Sequence, residues 1–207
     1  MKKTFASLVD IDILEKFVLL IIFAFFTVRM FIAMFNDGSI INYIYFFDQL
    51  LVLIFILLRR KALDIAQSPL DWIIGLAGTF LPLLISPIGD MNIISTKIAA
   101  FIMLVGIALH LSAKLVLRRS FGVVAANRGV KVQGPYRMVR HPMYAGYIIL
   151  QLGFLLGGPN LQNLVIILTC WILFILRIAA EERLLRQDPD YKAFLTRVRF
   201  RLIPGIY

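Results

Sequence analysis

The sequence predicts an all-α integral membrane protein with five to six transmembrane helices. Its 207 residues are 60% hydrophobic and only 16% charged, whereas a soluble domain carries about 25% charged residues. Several apolar stretches approach the ~20 residues that a helix needs to cross a bilayer. The basic residues, which give a net charge of +10, lie mostly in loops between these stretches and therefore do not indicate nucleic-acid binding.

Six apolar segments follow one another along the chain. They span about residues 13–35, 41–58, 70–88, 96–117, 143–158 and 161–180. Turn-forming or polar runs separate most of them, namely NDGS (36–39), RRKALDIAQSP (59–69), SPIGDMN (86–92) and GGPN (157–160). The fifth segment is short, so it either crosses the bilayer or forms a hairpin with the sixth. Its GFLLG run is a small-residue pattern that indicates a dimer only weakly, so the oligomeric state stays open.

The positions of Lys and Arg predict the orientation. All but two of the 22 lie in the N-terminal tail, the loop after the second segment, the loop after the fourth segment and the C-terminal tail. With six crossings these four regions share one face of the membrane. Because cytoplasmic loops carry the excess of Lys and Arg, both termini are predicted to be cytoplasmic.

One charge pair is expected inside the membrane. Arg29 and Asp48 lie at similar distances from the turn at 37–39, so both should reach the same depth at ~1.5 Å per residue. Charges in a bilayer are usually paired or functional. The favoured interpretation is a structural clamp between the first two helices, and the alternative is a proton or ion path.

The polar residues that carry chemistry form two blocks, 118–147 and 177–207. In the first block, Gly134 and Pro135 predict a turn, and Pro142 suits the first turn of the fifth helix. The amides at that helix start, beside Arg140 and His141, would then form an anion site. The alternative is a basic loop that contacts anionic lipid headgroups.

Tyrosines and a charged triplet complete the candidate set. Tyr136, Tyr144 and Tyr147 offer flat faces on which a base can stack. In the second block, Arg177 and Glu181 are four residues apart and share a helix face, with Glu182 on the adjacent face. The alternative for these charges is a surface ion pair on an emerging helix.

Familiar hydrolytic and metal chemistry has no support in the sequence. The only histidines are His110 and His141, and Cys170 is the only cysteine. G-x-S-x-G, H-E-x-x-H and P-loop patterns are absent from the sequence. We expect His110 to be a satisfied histidine in the helix core, not a metal ligand.

These residues resemble the integral membrane methyltransferases, a group that includes isoprenylcysteine carboxyl methyltransferases and phospholipid N-methyltransferases. The resemblance rests on GPYRMVRHPMYAG (134–146) together with RIAAEERLL (177–185), YKAF and RLIPG, and it covers roughly residues 105–204. The combination is specific, whereas either motif alone is weak. It divides the chain into three N-terminal transmembrane helices (1–95) and a methyltransferase-like catalytic region (96–207).

The resemblance implies S-adenosylmethionine as the cofactor, bound at the cytoplasmic side. Arg140 or His141 suits its carboxylate, Glu181 or Glu182 its ammonium or ribose, and the tyrosines its adenine. The predicted cofactor-binding residues are Gly134, Tyr136, Arg140, His141, Pro142, Tyr144 and Glu182.

Arg177 and Glu181 are the predicted catalytic residues. Arg177 would orient an anionic acceptor, which slightly favours an isoprenylcysteine-type carboxylate on a lipophilic small molecule. A phospholipid amine or a thiol would need a base, and Glu181 or His141 is the candidate. Other classes remain as alternatives: a sterol-reductase-like, NADPH-dependent membrane enzyme, and a transporter, which would concentrate polar residues at the midplane.

Overall fold

A computed structural model describes residues 5–58, 64–65, 68–86, 93–117, 126–127 and 130–206, and within them the chain is almost entirely helical. The helices are α1 (Phe5–Asp37), α2 (Ile40–Leu58), α3 (Pro69–Phe80), α4 (Thr96–Leu117), α5 (Pro142–Gly157), α6 (Leu161–Leu185) and α7 (Pro189–Arg197). Short 3-10 turns follow α3 (Leu81–Leu84) and precede α5 (Gly134–Arg137). A two-residue antiparallel pair joins β1 (Asp64–Ile65) to β2 (Ala126–Asn127).

The helices have the length and composition of an integral membrane protein. Among the described residues, four helices are long and apolar enough to span a bilayer: Lys16–Asn36 within α1, and all of α2, α4 and α6. The all-α prediction is thereby confirmed. The 16 residues of α5 measure only about 24 Å at ~1.5 Å per residue, so the expectation of a short fifth segment is confirmed. The exact number of crossings stays a prediction.

Two helices end at residues other than the ends of the predicted apolar segments, because backbone hydrogen bonding and hydropathy do not change at the same residue. Helix α6 continues to Leu185, beyond the predicted end at 180, because a helix can extend into a polar environment. Helix α3 ends early, at Phe80, and passes into the 3-10 turn that contains Pro82. Proline has no N–H for the next intrahelical bond, so the predicted segment 70–88 is not one continuous helix.

Several contacts gather the predicted cytoplasmic segments at one end of the bundle. Lys16 Nζ donates to the carbonyl of Leu57, 2.7 Å away, at the last turn of α2. The β1–β2 pair joins the chain after α2 to the chain after α4. Arg183 near the end of α6 binds the Asp71 carboxylate at the start of α3, with Nη2–O distances of 2.7 and 2.8 Å. This grouping agrees with the Lys and Arg distribution, while the orientation across the membrane stays a prediction.

Glycines let α4 and α5 pack backbone to backbone. A Cβ at Gly106 would lie 2.5 Å from the Leu150 amide nitrogen, and one at Gly146 would lie 2.5 Å from that of His110. Small residues allow such close approach between membrane helices. The glycines of the GFLLG run serve the same purpose: Gly153 faces α4, and Gly157 meets side chains of α2 and α4. They are therefore used within the chain, and they give no support to a dimer.

The predicted clamp between Arg29 and Asp48 is wrong. Asp48 Oδ1 lies 2.7 Å from Nε2 of His110 on α4, while the Arg29 guanidinium lies 5.9 Å from the ring centroid of Phe26 on its own helix. Spacing along the chain predicts how far two charges lie from a turn, but it does not predict the rotation of each helix about its axis. His110 is fully buried and stacks on Tyr147 with ring centroids 4.8 Å apart. Its expected place in the helix core is confirmed, but the expectation that it is fully satisfied is not, because Nδ1 has no hydrogen-bond partner among the described residues.

Candidate functional site

The start of α5 is built by a tight turn with a left-handed glycine. Gly134 has φ +57°, a conformation that favours glycine, and a Cβ there would also lie 3.0 Å from Val116 Cγ2. The 3-10 turn that follows buries Tyr136. His141 is the N-cap residue, and Pro142 opens the helix, which confirms the helix start expected from the sequence.

The C-terminal tail lies alongside this helix start. The amide of Arg140 donates to the carbonyl of Phe200 at 2.9 Å, and the amide of His141 donates to that of Arg201 at 2.8 Å. Pro142 has no N–H. The amides of Arg140 and His141 themselves are thus used by the tail. The expected anion site concerns the amides of the first turn of α5, and it stays a prediction.

Glu182 is surrounded by cationic side chains from three parts of the chain. Its carboxylate is 2% exposed and lies 3.3 Å from Arg140 Nε and 3.3 Å from His141 Nε2. Arg201 Nη2 approaches it to 3.0 Å, and Arg186 Nη2, one turn along α6, to 3.4 Å. Three guanidinium groups and an imidazole around one carboxylate leave a surplus of positive charge. We call these five residues the Glu182 cluster.

Glu181 and Arg177 meet at Tyr144. The Tyr144 hydroxyl donates a short hydrogen bond to Glu181 Oε1, and Glu181 Oε2 lies 3.7 Å from His141 Nδ1. The Arg177 guanidinium lies over the Tyr144 ring, 5.4 Å from its centroid, and donates to Thr79 Oγ1 at 3.1 Å. Tyr144 therefore connects the two predicted catalytic residues, and His141 links them to the Glu182 cluster.

Two phenols beside these carboxylates remain neutral. Burial, aided by the Glu181 carboxylate, raises the pKa of Tyr136 well above its ordinary value. Burial and the Glu182 carboxylate raise the pKa of Tyr191 in the same way. The Tyr191 hydroxyl is buried and has no hydrogen-bond partner among the described residues. A neutral donor is thus available next to the Glu182 cluster.

A cavity of about 70 Å³ lies among α1, α2, α3, α5 and α6, and Arg177 is one of the residues that line it. Apolar side chains such as Phe23, Leu83 and Phe174 form much of its wall. Its polar lining residues are Tyr45, Asp48, Gln49, Thr79, Tyr144, Tyr147, Gln151 and Arg177. Gly78 makes room for the arginine, since a Cβ there would lie 3.1 Å from Arg177 Cδ.

The structure brings most of the sequence-predicted site residues together. Arg140, His141, Tyr144, Arg177, Glu181 and Glu182 form one connected group. Gly134 and Pro142 shape the backbone that positions them, and Tyr136 is buried within electrostatic range of Glu181. Tyr147 instead stacks on His110 inside the membrane, so it is not part of the α5 start.

Sequence reasoning missed several members of the site. Arg186 lies four residues after Glu182, a spacing that predicts an ion pair on a helix. Arg201, Tyr191 and Thr79 come from separate elements, and no local pattern connects them to the site. Their positions depend on how the tail and α3 pack against α6.

Comparison with known proteins points to a membrane enzyme family. Residues 93–187 match the model of the Isoprenylcysteine carboxyl methyltransferase (ICMT) family. The match contains α4, α5 and α6, including every predicted site residue. The resemblance to membrane methyltransferases is therefore confirmed over this region. A search of curated proteins finds no match to the chain.

Proposed function

We propose that this protein is an S-adenosylmethionine-dependent methyltransferase that acts on a lipophilic small molecule at the cytoplasmic membrane face. The observation that carries the proposal is the junction of a cation-rich cluster with an intramembrane cavity through Arg177, Tyr144 and Glu181. This junction lies within the region that matches a methyltransferase family. A charged cofactor could reach this junction from the Glu182 cluster, and an apolar acceptor could reach it from the cavity.

The residues at the start of α5 fit the cofactor's charges. The Glu182 cluster has more N–H donors than one carboxylate can accept, so Arg140, His141 and Arg201 would hold the cofactor carboxylate. Glu181, which is partly exposed, would face its ammonium group, and Tyr136 its adenine. When bound, S-adenosylmethionine supplies an electrophilic methyl group.

Glu182 contributes by holding the cations in place. Its carboxylate is already shared by the Arg140, His141, Arg186 and Arg201 side chains. Without it, these groups would repel one another at short range. We propose that Glu182 supports cofactor binding through its neighbours.

Arg177 is placed to orient the acceptor. It is 7% exposed, its position is fixed by Thr79 and Tyr144, and it faces the cavity. A guanidinium in such a site pairs with a carboxylate through two parallel hydrogen bonds, which favours an isoprenylcysteine-type carboxylate. Alignment of acceptor and methyl donor can supply up to ~7–11 kcal/mol of the barrier reduction.

Glu181 is the candidate base for an acceptor that must lose a proton. Its carboxylate accepts a hydrogen bond from the Tyr144 hydroxyl, which holds it next to Arg177 and His141. With an amine or thiol acceptor, Glu181 would receive the proton. With a carboxylate acceptor no base is needed, and Glu181 would only bind the cofactor.

A methyl-transfer assay tests this function. Detergent-solubilised protein is incubated with S-adenosylmethionine tritiated in the methyl group and with N-acetyl-S-geranylcysteine, a phospholipid amine or a lipophilic thiol. Methyl esters release volatile label in mild base, whereas N- and S-methyl products do not. We expect base-labile label on the geranylcysteine probe.

Variants separate the acceptor site from the cofactor site. Arg177→Ala should lower transfer by roughly 10²–10³-fold, the effect of losing one preorganised charge-stabilising donor, while cofactor affinity stays within about twofold. Arg197→Ala, which removes an exposed charge on α7, is the matched control and should behave like wild type. Absence of transfer to all three acceptors, or an active Arg177→Ala variant, would contradict the proposal.

A further inference from the structure

Polar side chains form part of the cavity wall although the cavity lies among membrane-spanning helices. Most of its polar groups have protein partners. The Tyr45 hydroxyl donates to the Pro82 carbonyl at 2.9 Å, Asp48 pairs with His110, and the Gln151 side-chain carbonyl accepts from Trp171 Nε1 at 2.9 Å. These contacts explain why such groups are tolerated at this depth.

Gln49 is the exception. It is 4% exposed and lines the cavity. Neither its amide nitrogen nor its amide oxygen forms a hydrogen bond of normal geometry with any described residue, although the amide approaches the Tyr45 hydroxyl. Buried polar side-chain atoms nearly always have a partner. The missing partner of Gln49 therefore belongs inside the cavity.

We propose that Gln49 binds a hydroxyl group of the acceptor, so that an acceptor whose lipophilic chain carries a hydroxyl is bound more tightly than one whose chain is purely hydrocarbon. A primary amide presents a donor and an acceptor side by side, and a hydroxyl group both accepts and donates. A plain hydrocarbon chain would leave both amide atoms unsatisfied. This inference rests on the proposed methyltransferase function and adds the chemistry of the acceptor body.

Ordered water is the competing occupant, because a cavity of about 70 Å³ has room for a few molecules.

A matched pair of probes distinguishes these occupants. N-acetyl-S-geranylcysteine and its analogue with a hydroxyl at the far end of the geranyl chain are titrated into solubilised protein. S-adenosylhomocysteine is present, since it lacks the transferable methyl group. One good hydrogen bond predicts that wild type binds the hydroxylated probe roughly three- to tenfold more tightly. This comparison needs no variant, so a folding defect cannot obscure it.

A substitution then assigns the preference to one residue. Gln49→Leu should abolish or reverse the preference, because leucine fills similar space without polar atoms. Gln162→Leu makes the same chemical change at an exposed position on α6 and should keep the wild-type preference. Equal binding of the two probes to wild type, no binding of either, or an unchanged preference in Gln49→Leu would overturn the inference, with water then the partner of Gln49.

S-adenosylmethionine binding, measured in parallel, keeps the two proposals apart. If wild type binds the cofactor but shows no preference between the probes, only the hydroxyl inference fails. If wild type prefers the hydroxylated probe through Gln49 but binds no S-adenosylmethionine, the subsite stands and the methyltransferase function fails.

Discussion

Glu182 near the end of α6 and Asp48 in the middle of α2 are both buried carboxylates with cationic neighbours, but their surroundings differ. Glu182 is held by side chains from the α5 start, its own helix and the C-terminal tail. Asp48 pairs with His110, and the nearby Lys114 ammonium lies 4.8 Å from the Tyr147 ring centroid, all between membrane helices. The first cluster has excess positive charge and borders the polar loops, whereas the second is enclosed by helices.

We propose that the difference separates a cluster that binds a ligand from an ion pair that stabilises the fold. The Glu182 cluster has more cations than Glu182 can neutralise, and it lies next to the partly exposed Glu181. It can therefore bind another anion without moving that anion into the interior of the helix bundle. A closed pair in the bilayer has no such freedom, and its members mainly neutralise one another. The same substitution, carboxylate to amide, should therefore have different consequences at the two sites.

The largest effect is expected at the intramembrane pair. Asp48→Asn leaves His110 and Lys114 without their counter-charge, and breaking one partner of a buried pair costs about 3–5 kcal/mol. The thermal midpoint in detergent should fall markedly, while S-adenosylmethionine affinity of the folded fraction stays within about twofold. Asp190→Asn, an exposed position on α7, is the control. An unchanged midpoint, or a selective loss of cofactor affinity, would remove the distinction between the two sites.

A smaller loss of stability but a clear loss of affinity is expected at Glu182. Glu182→Gln keeps the shape of the side chain and removes its charge, so the surrounding cations lose their fixed positions. The loss of charge-assisted hydrogen bonds, about 1.5–3 kcal/mol each, should weaken S-adenosylmethionine binding by tenfold or more in a calorimetric titration. Wild-type affinity in this variant, despite a lowered thermal midpoint, would show that the cluster is only structural.

The comparison also shows what the sequence can and cannot predict. The α5 start followed from Gly134 and Pro142, whose backbone preferences act locally, and the shared position of Arg177 and Glu181 beside Tyr144 followed from helix periodicity. Asp48 and His110 belong to helices whose relative rotation no local pattern reveals, so the expected partner, Arg29, was wrong.

Local sequence patterns also could not predict that residues of the C-terminal tail belong to the site. Arg201 is 19 residues beyond Glu182, on the far side of α7. Its place in the site depends on hydrogen bonds between the tail and the α5 start. Loop lengths and helix propensities do not predict that the tail folds back against the α5 start.

Titration of cofactors into the purified protein tests the central claim most directly. S-adenosylmethionine and NADPH are each titrated calorimetrically into wild type, Arg201→Ala and the matched control Arg197→Ala. We expect wild type and Arg197→Ala to bind S-adenosylmethionine and not NADPH, and Arg201→Ala to bind S-adenosylmethionine roughly ten- to a hundredfold more weakly. Binding of NADPH with no response to S-adenosylmethionine, or equal S-adenosylmethionine affinity in Arg201→Ala and wild type, would contradict this expectation.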